Sequence, residues 1–302
     1  MNKRTLITWV QATRPQFFTV IILPILLGTA IAWRLQGIFA PVYLILSLLA
    51  GVFIAAGINV FNDYFDHLNQ TDEFNHSPLT PFAGGSRMIQ NGILTVTETY
   101  RFGLTLILIA ISIGFYLVLV RGLPLLWIGI FGVLSGYFYS APPLSLVDKG
   151  LGELLIGLNY GILAVLGAYY VQTQTLSPIA VIASLPLAGL VTAILYINEF
   201  PDHNADKKAG KNNLVVRLGL ASARSIYAIL IGLSFIAVAI GVIFKGLPLF
   251  SLTSLLALPL GFFAIKTLYS YYDKPTDLIP AIKNTIMLHT LVSVSLIIAF
   301  LL

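Results

Sequence analysis

Cysteine is absent from this chain and charge is scarce: only 10% of its 302 residues are Asp, Glu, Lys or Arg. Without cysteine there is no disulfide framework and no thiolate chemistry. A soluble domain carries about 25% charged residues, so this chain lacks the polar cover a water-facing surface needs. The stretch Met1–Ala12 has no long apolar core followed by a small-residue cleavage site, so no cleavable signal peptide is expected. Histidine occurs four times and never in a zinc-ligand spacing. His67 and His203 read as loop residues, and His289 as a buried, hydrogen-bonded one.

Hydrophobic residues make up 58% of the chain. Apolar runs of roughly 20 residues, the length that crosses a bilayer, recur throughout. The pattern predicts an all-α polytopic membrane protein, residues 1–302 forming one integral-membrane domain. Nine transmembrane helices are expected in one bundle, at 16–34, 40–62, 100–120, 123–139, 151–171, 177–200, 225–244, 247–270 and 280–302. Pro24, Pro186 and Pro259 fall inside these spans, where kinks are expected. With the N-terminus inside, the inner side receives 14 of the 17 Lys and Arg residues, among them Lys3, Arg4, Arg14 and Arg87; the outer side receives Arg34, Arg121 and Lys245. The positive-inside rule therefore places the N-terminus on the cytoplasmic side of the cell (inner) membrane and the C-terminus outside. All twelve acidic residues also fall on or beside the inner face. The net charge of +5 reflects basic cytoplasmic loops, not a nucleic-acid surface.

Two acidic segments interrupt the apolar pattern and resemble each other. The first is Asn59-x-x-x-Asp63-x-x-Asp66; the second is Asn198-x-x-x-Asp202-x-x-x-Asp206. Spacings of three and four put each set on one helical face. Each opens a long inner loop, 63–99 or 201–224, so two carboxylate clusters can converge across one cavity mouth. Clustered carboxylates beside a bilayer are costly unless they bind something positive. Mg²⁺ fits, since it takes oxygen ligands, commonly one or two carboxylates plus substrate phosphates. Asp63, Asp66, Asp202 and Asp206 are the ligand candidates, and Asn59 and Asn198 supply a carbonyl oxygen or orient a carboxylate. Arg87, Lys149, Lys207, Lys208, Lys211 and Arg217 lie in the loops placed to meet a substrate's anionic end. Lys207, Lys208 and Lys211 serve equally to anchor topology, and an Asp at a helix end is often only a cap. Tyr137 reads as interfacial belt, as do Tyr169 and Tyr170, whereas Tyr139, in YSAPPLSL, is read as facing the cavity.

Four segments together resemble the UbiA superfamily of intramembrane prenyltransferases: WVQATRP from Trp9, the first acidic motif, YSAPPLSL, and the second motif through GKNNLVVRLG. NDYFD followed by Thr71-Asp72, and then GGSRMIQNG, look most like the 1,4-dihydroxy-2-naphthoate polyprenyltransferases of menaquinone synthesis. The resemblance implies a helical bundle around a lipid-open cavity. It implies that Asn59, Asp63, Asp66, Asp202 and Asp206 hold Mg²⁺ and a polyprenyl diphosphate, with Arg14 and Arg87 near polar substrate ends and Tyr139 near the reacting carbon. The implied partners are the diphosphate, an aromatic acceptor and membrane lipid. Four positions depart from the pattern. Gln70 stands where many members have Asp, with Asp72 the candidate to replace it. Pro143 stands where many have Lys. Glu199 and Pro201 stand where the naphthoate branch often has Asn and Arg. Other acceptors, such as 4-hydroxybenzoate, homogentisate or a lipid, stay open, as does a lipid-phosphate transporter.

Overall fold

The computed structural model describes residues 5–244 and 246–302, so Lys3, Arg4 and Lys245, counted above for orientation, lie outside the described residues. Every regular element is helical among them. In chain order these are α1 Leu6–Ala12, α2 Thr19–Gln36, α3 Pro41–Leu68, α4 Thr71–Phe74, α5 Val96–Arg121, α6 Pro124–Ser140, α7 Gly152–Ile156, a π-helical stretch Gly157–Leu163 continuing into α8 Ala164–Thr173, α9 Pro178–Ala209, α10 Leu214–Leu218, α11 Leu220–Ile243, α12 Leu258–Tyr271 and α13 Ile279–Leu301. Eight helical segments are long and apolar enough to cross a membrane. The remaining expected span, 123–139, corresponds to α6; its 17 residues rise about 25 Å, short of a hydrocarbon core of about 30 Å. The expected span at 247–270 opens as a 3₁₀ turn, Leu249–Ala257, before α12, so Pro259 starts a helix instead of kinking one.

Local signals set these boundaries. Pro41 and Pro178 occupy first-turn positions, where a missing N–H costs nothing. The Ser177 side chain caps the Ile179 N–H, and Thr95 with Glu98 forms a capping box on α5. Large apolar side chains such as Trp127, Phe262 and Leu256 cover the outside of the bundle, an inverted surface suited to lipid. Inside, α9 packs against α11, α13, α2 and the π-helical stretch. Leu187, Leu190, Tyr196 and Phe200 on α9 meet Leu27, Ile31 and Tyr227 in one core. Gly161 lets the π stretch lie against α9: a Cβ there would come 2.4 Å from the Ala188 Cα.

Both acidic segments are helical, as their three-and-four spacing implied, and the helices run past 63 and 201, where the loop count opened the inner loops. α3 runs 28 residues and α9 runs 32, through Asp66 and Asp206 respectively. From the start of α3 to Asn59, and from the start of α9 to Asn198, the helix rises about 27 and 30 Å at 1.5 Å per residue. Each acidic stripe therefore begins about one hydrocarbon thickness along its helix. The polar ends of α3 and α9 project together from the apolar bundle.

Candidate functional site

A cavity of about 170 Å³ opens between these projecting ends. Its lining includes Asn59, Asp66, Asp72, Asn198, Asp202 and Asp206, with Arg14, Lys211, Glu199 and Tyr139 around them. Asp63 is buried beside it, held by the Arg14 guanidinium and by the Ser86 N–H at 3.2 and 3.3 Å. Lys211 Nζ donates to both oxygens of Asp66 at 3.1 and 3.0 Å. Asp202 accepts from Asn75 Nδ2 at 2.8 Å and from the Gly84 N–H at 3.0 Å. Asp206 accepts from Asn213 Nδ2 at 2.8 Å, while the Asn213 Oδ1 caps α10 through the Val216 N–H.

The loop between α4 and α5 joins the two stripes. Gly84 reaches the second stripe through its N–H and Ser86 reaches the first. Gly84 and Gly85 both have φ of +78°, a conformation other residues avoid. A Cβ on Gly85 would also stand 3.0 Å from both carboxyl oxygens of Asp72. GGSR is thus a clamp whose backbone donors hold a carboxylate from each helix.

Asp72 lines the cavity and is buried, while Gln70 is exposed in a left-handed turn before α4. Burial first, and then the neighbouring carboxylates Asp66 and Asp63, push the Asp72 carboxyl up to about 8. Five carboxyl side chains but only two cations line the cavity. An excess of buried carboxyls is relieved by protonation, as at Asp72, or by a bound counter-ion. Two buried oxygens, Asp72 Oδ2 and Asn198 Oδ1, have no hydrogen-bond partner among the described residues. Arg14 Nε, a buried donor, likewise has none among them. The site therefore offers free hard oxygens for a cation and a free donor for an anion. Among the described residues no three His, Cys, Asp or Glu side chains form a ready-made cage.

Other expected residues lie elsewhere. Lys149 and Lys207 are exposed and do not line the cavity. Arg87 is half-buried, with its guanidinium donating to the backbone carbonyl of Asp72, so it braces α4. The buried cation is Lys211, which the sequence offered only as one basic loop residue among several. His67 pairs with Glu73 and His203 with Asn204 near the surface. His289 is buried, but neither ring nitrogen has a partner among the described residues. Tyr169 and Tyr170 are buried, with Tyr169 accepting from Gln36, so neither forms an exposed belt. Tyr137 joins a cluster of rings with Phe61, Phe65 and Phe138.

A second cavity, about 440 Å³ and lined mainly by apolar residues of α3, α5, α6 and the π stretch, adjoins the first. Tyr139, Tyr160, Ile58 and Ile156 line both. Tyr139 is buried at this junction.

Fold and site together define an integral-membrane enzyme scaffold, with an acidic, cation-seeking chamber beside an apolar one. The profile of the UbiA prenyltransferase family matches residues 21–288, and the chain belongs to that family. It is a prenyltransferase. The 1,4-dihydroxy-2-naphthoate octaprenyltransferase of Escherichia coli (strain K12) is 32% identical over 259 residues, covering 83% of this chain and 82% of that one. The 2-carboxy-1,4-naphthoquinone phytyltransferase of Synechocystis sp. is 30% identical over 268 residues, covering 88% and 84%. In structure the chain is similar to a UbiA homolog from Archaeoglobus fulgidus bound to DMAPP and Mg²⁺, with TM-score 0.67 and 18% identity over 97% of this chain and 98% of that one. At that identity the likeness concerns the fold.

Proposed function

We propose that this protein transfers a polyprenyl group from its diphosphate to an aromatic acceptor, 1,4-dihydroxy-2-naphthoate, in menaquinone synthesis, with Mg²⁺ as cofactor. The single observation that carries the reading is the convergence of both acidic stripes on one cavity that opens onto an apolar chamber through Tyr139. The printed activities of the relatives from E. coli and Synechocystis support the acceptor. In this reading α6 also crosses the bilayer, giving nine spans. The N-terminus and the acidic mouth face the cytoplasm and the C-terminus lies outside, as the distribution of Lys and Arg supports.

Asp63, Asp66, Asp202 and Asp206, with Asn59, Asn198 and Asp72, are the residues to hold Mg²⁺. When bound, the metal neutralises charge that grows on a departing diphosphate. Arg14 and Lys211 donate to the diphosphate oxygens. The apolar chamber takes the hydrocarbon tail and excludes water. The bond between C1 and the bridging oxygen breaks, and the electron pair leaves with the diphosphate. The faces of Tyr139 and Tyr160 stabilise the allylic cation at the junction. A ring carbon of the acceptor attacks C1, forming the new carbon–carbon bond. The carboxylate leaves that ring carbon as carbon dioxide, and its bonding pair restores the aromatic ring. The test is a panel of acceptors incubated with one prenyl diphosphate and Mg²⁺ and read by mass spectrometry. A prenylated, decarboxylated naphthalenediol is expected. Product from 4-hydroxybenzoate or homogentisate alone would replace the acceptor.

A further inference from the structure

One wall of the acidic cavity lies outside the diphosphate machinery. Glu199 lines it, is 5% exposed, and no hydrogen-bond donor among the described residues reaches either carboxyl oxygen, apart from a proton shared with the neighbouring Glu153 carboxyl. The four motif aspartates differ, since each is held by a named donor. Behind Glu199, Glu153 accepts the Leu214 N–H on Oε1 at 2.7 Å and leaves Oε2 with no other partner among those residues. Tyr139 lies within electrostatic reach of both acids, and its ring packs on Gly152, where a Cβ would come 3.1 Å from the ring. Glu199 therefore stands beside the residue that joins the two cavities.

A buried polar group without a partner is costly, and native interiors rarely leave one without a reason. A carboxyl that shares one proton with Glu153 still keeps lone pairs free to accept, and a hydrogen-bond donor fills them without adding charge beside Glu153. A prenyl diphosphate is hydrocarbon and anionic oxygen and has no donor to offer. The other substrate does, because an electron-rich aromatic acceptor carries ring hydroxyls. We propose that Glu199 is a specificity-determining residue that accepts a hydrogen bond from a ring hydroxyl of the acceptor, with Glu153 backing it. The proposal rests on the aromatic-acceptor reading above. A hydroxyl held this way turns the ring toward Tyr139 and pushes electron density into the carbon that attacks.

The experiment measures KM for the hydroxylated acceptor, KM for a prenyl diphosphate and half-saturation by Mg²⁺, in wild type, Glu199→Gln and Glu199→Leu. Gln keeps an accepting oxygen, so its acceptor KM stays within about threefold of wild type. Leu raises the acceptor KM about 10- to 100-fold, the size of one lost hydrogen bond to a polar or charged group, and leaves the other two constants alone. An O-methylated acceptor is poor for wild type and no poorer for Leu. A wild-type acceptor KM in Glu199→Leu overturns the assignment. So does a shift confined to prenyl diphosphate or Mg²⁺, which would place Glu199 in the metal half of the site. Should the Leu variant not purify as a single species, Glu199→Met is read the same way. Absence of product from wild type with every hydroxylated aromatic acceptor overturns the aromatic-acceptor reading itself. Product from wild type with an unmoved acceptor KM in the variants overturns Glu199 alone.

Discussion

Replacing Lys211 by Met removes a buried cation while keeping a similar shape, and it tests how the acidic chamber is balanced. Lys211 and Asp66 are only 11% and 8% exposed, and the ammonium bonds both carboxylate oxygens. Burial works against the Lys211 charge, yet Asp66 and Asp206 outweigh it and hold the ammonium well above its ordinary value. Removing one member of such a pair leaves a buried carboxylate unbalanced, at a cost of about 3–5 kcal/mol. The slight exposure of both groups argues for the lower end, about 3 kcal/mol. At roughly 2–4 °C per kcal/mol for a large domain, Tm falls by about 6–12 °C. The assay is thermal unfolding in detergent, with EDTA and then with Mg²⁺ plus inorganic diphosphate. If Asp66 takes a divalent cation, the added metal restores its counter-charge and closes much of the gap. A Tm within about 2 °C of wild type in EDTA would refute the balance argument. A gap that Mg²⁺ leaves untouched would remove Asp66 from the metal set.

Asp72 sets a pH dependence. Its folded carboxyl, at about 8, holds its proton while the unfolded one releases it near the ordinary 3.8. Stability in EDTA therefore falls as pH rises from about 4 to about 8, by at most ~1.4 kcal/mol per unit, and levels above. Melts of Asp72→Asn at pH 6, 7 and 8 are expected to lose that slope. Gly161→Ala drives a Cβ into the α9 backbone and is expected to cost several degrees of Tm or to abolish expression, whereas Gly232→Ala, with nothing within 4 Å, is neutral or stabilising by about 0.5–1 kcal/mol. Gly129 lines the apolar chamber with open space above it. Gly129→Phe is expected to raise KM for a long prenyl diphosphate about tenfold or more and to spare a short one, in paired turnover assays.

Class and span positions were legible because apolar runs and sparse charge leave few alternatives. The acidic stripes were legible because a three-and-four spacing survives wherever the helix ends. The ends of α3 and α9 were not, since the loop count opened the inner loops at 63 and 201 while the helices run on to Leu68 and Ala209. Lys211 was indistinguishable from Lys207 and Lys208 in sequence, because one turn of loop decides which ammonium swings inward. The GGSR clamp was visible only as family wording, since it acts through backbone N–H groups that sequence spacing does not reveal. Glu199 looked like a departure in the second motif and proved to be a buried carboxyl in the cavity wall, beside Glu153.

The central claim is that the paired stripes bind and activate a metal-complexed prenyl diphosphate for transfer to an aromatic ring. The direct measurement is single-turnover product formation by mass spectrometry, comparing wild type with Asp202→Asn, each in Mg²⁺ and in EDTA. Wild type with Mg²⁺ is expected to form prenylated acceptor, and the other three conditions to fall by roughly 10³-fold or more, the scale of several kcal/mol of lost charge stabilisation. Wild-type rates in Asp202→Asn, or product formed equally well in EDTA, would contradict it.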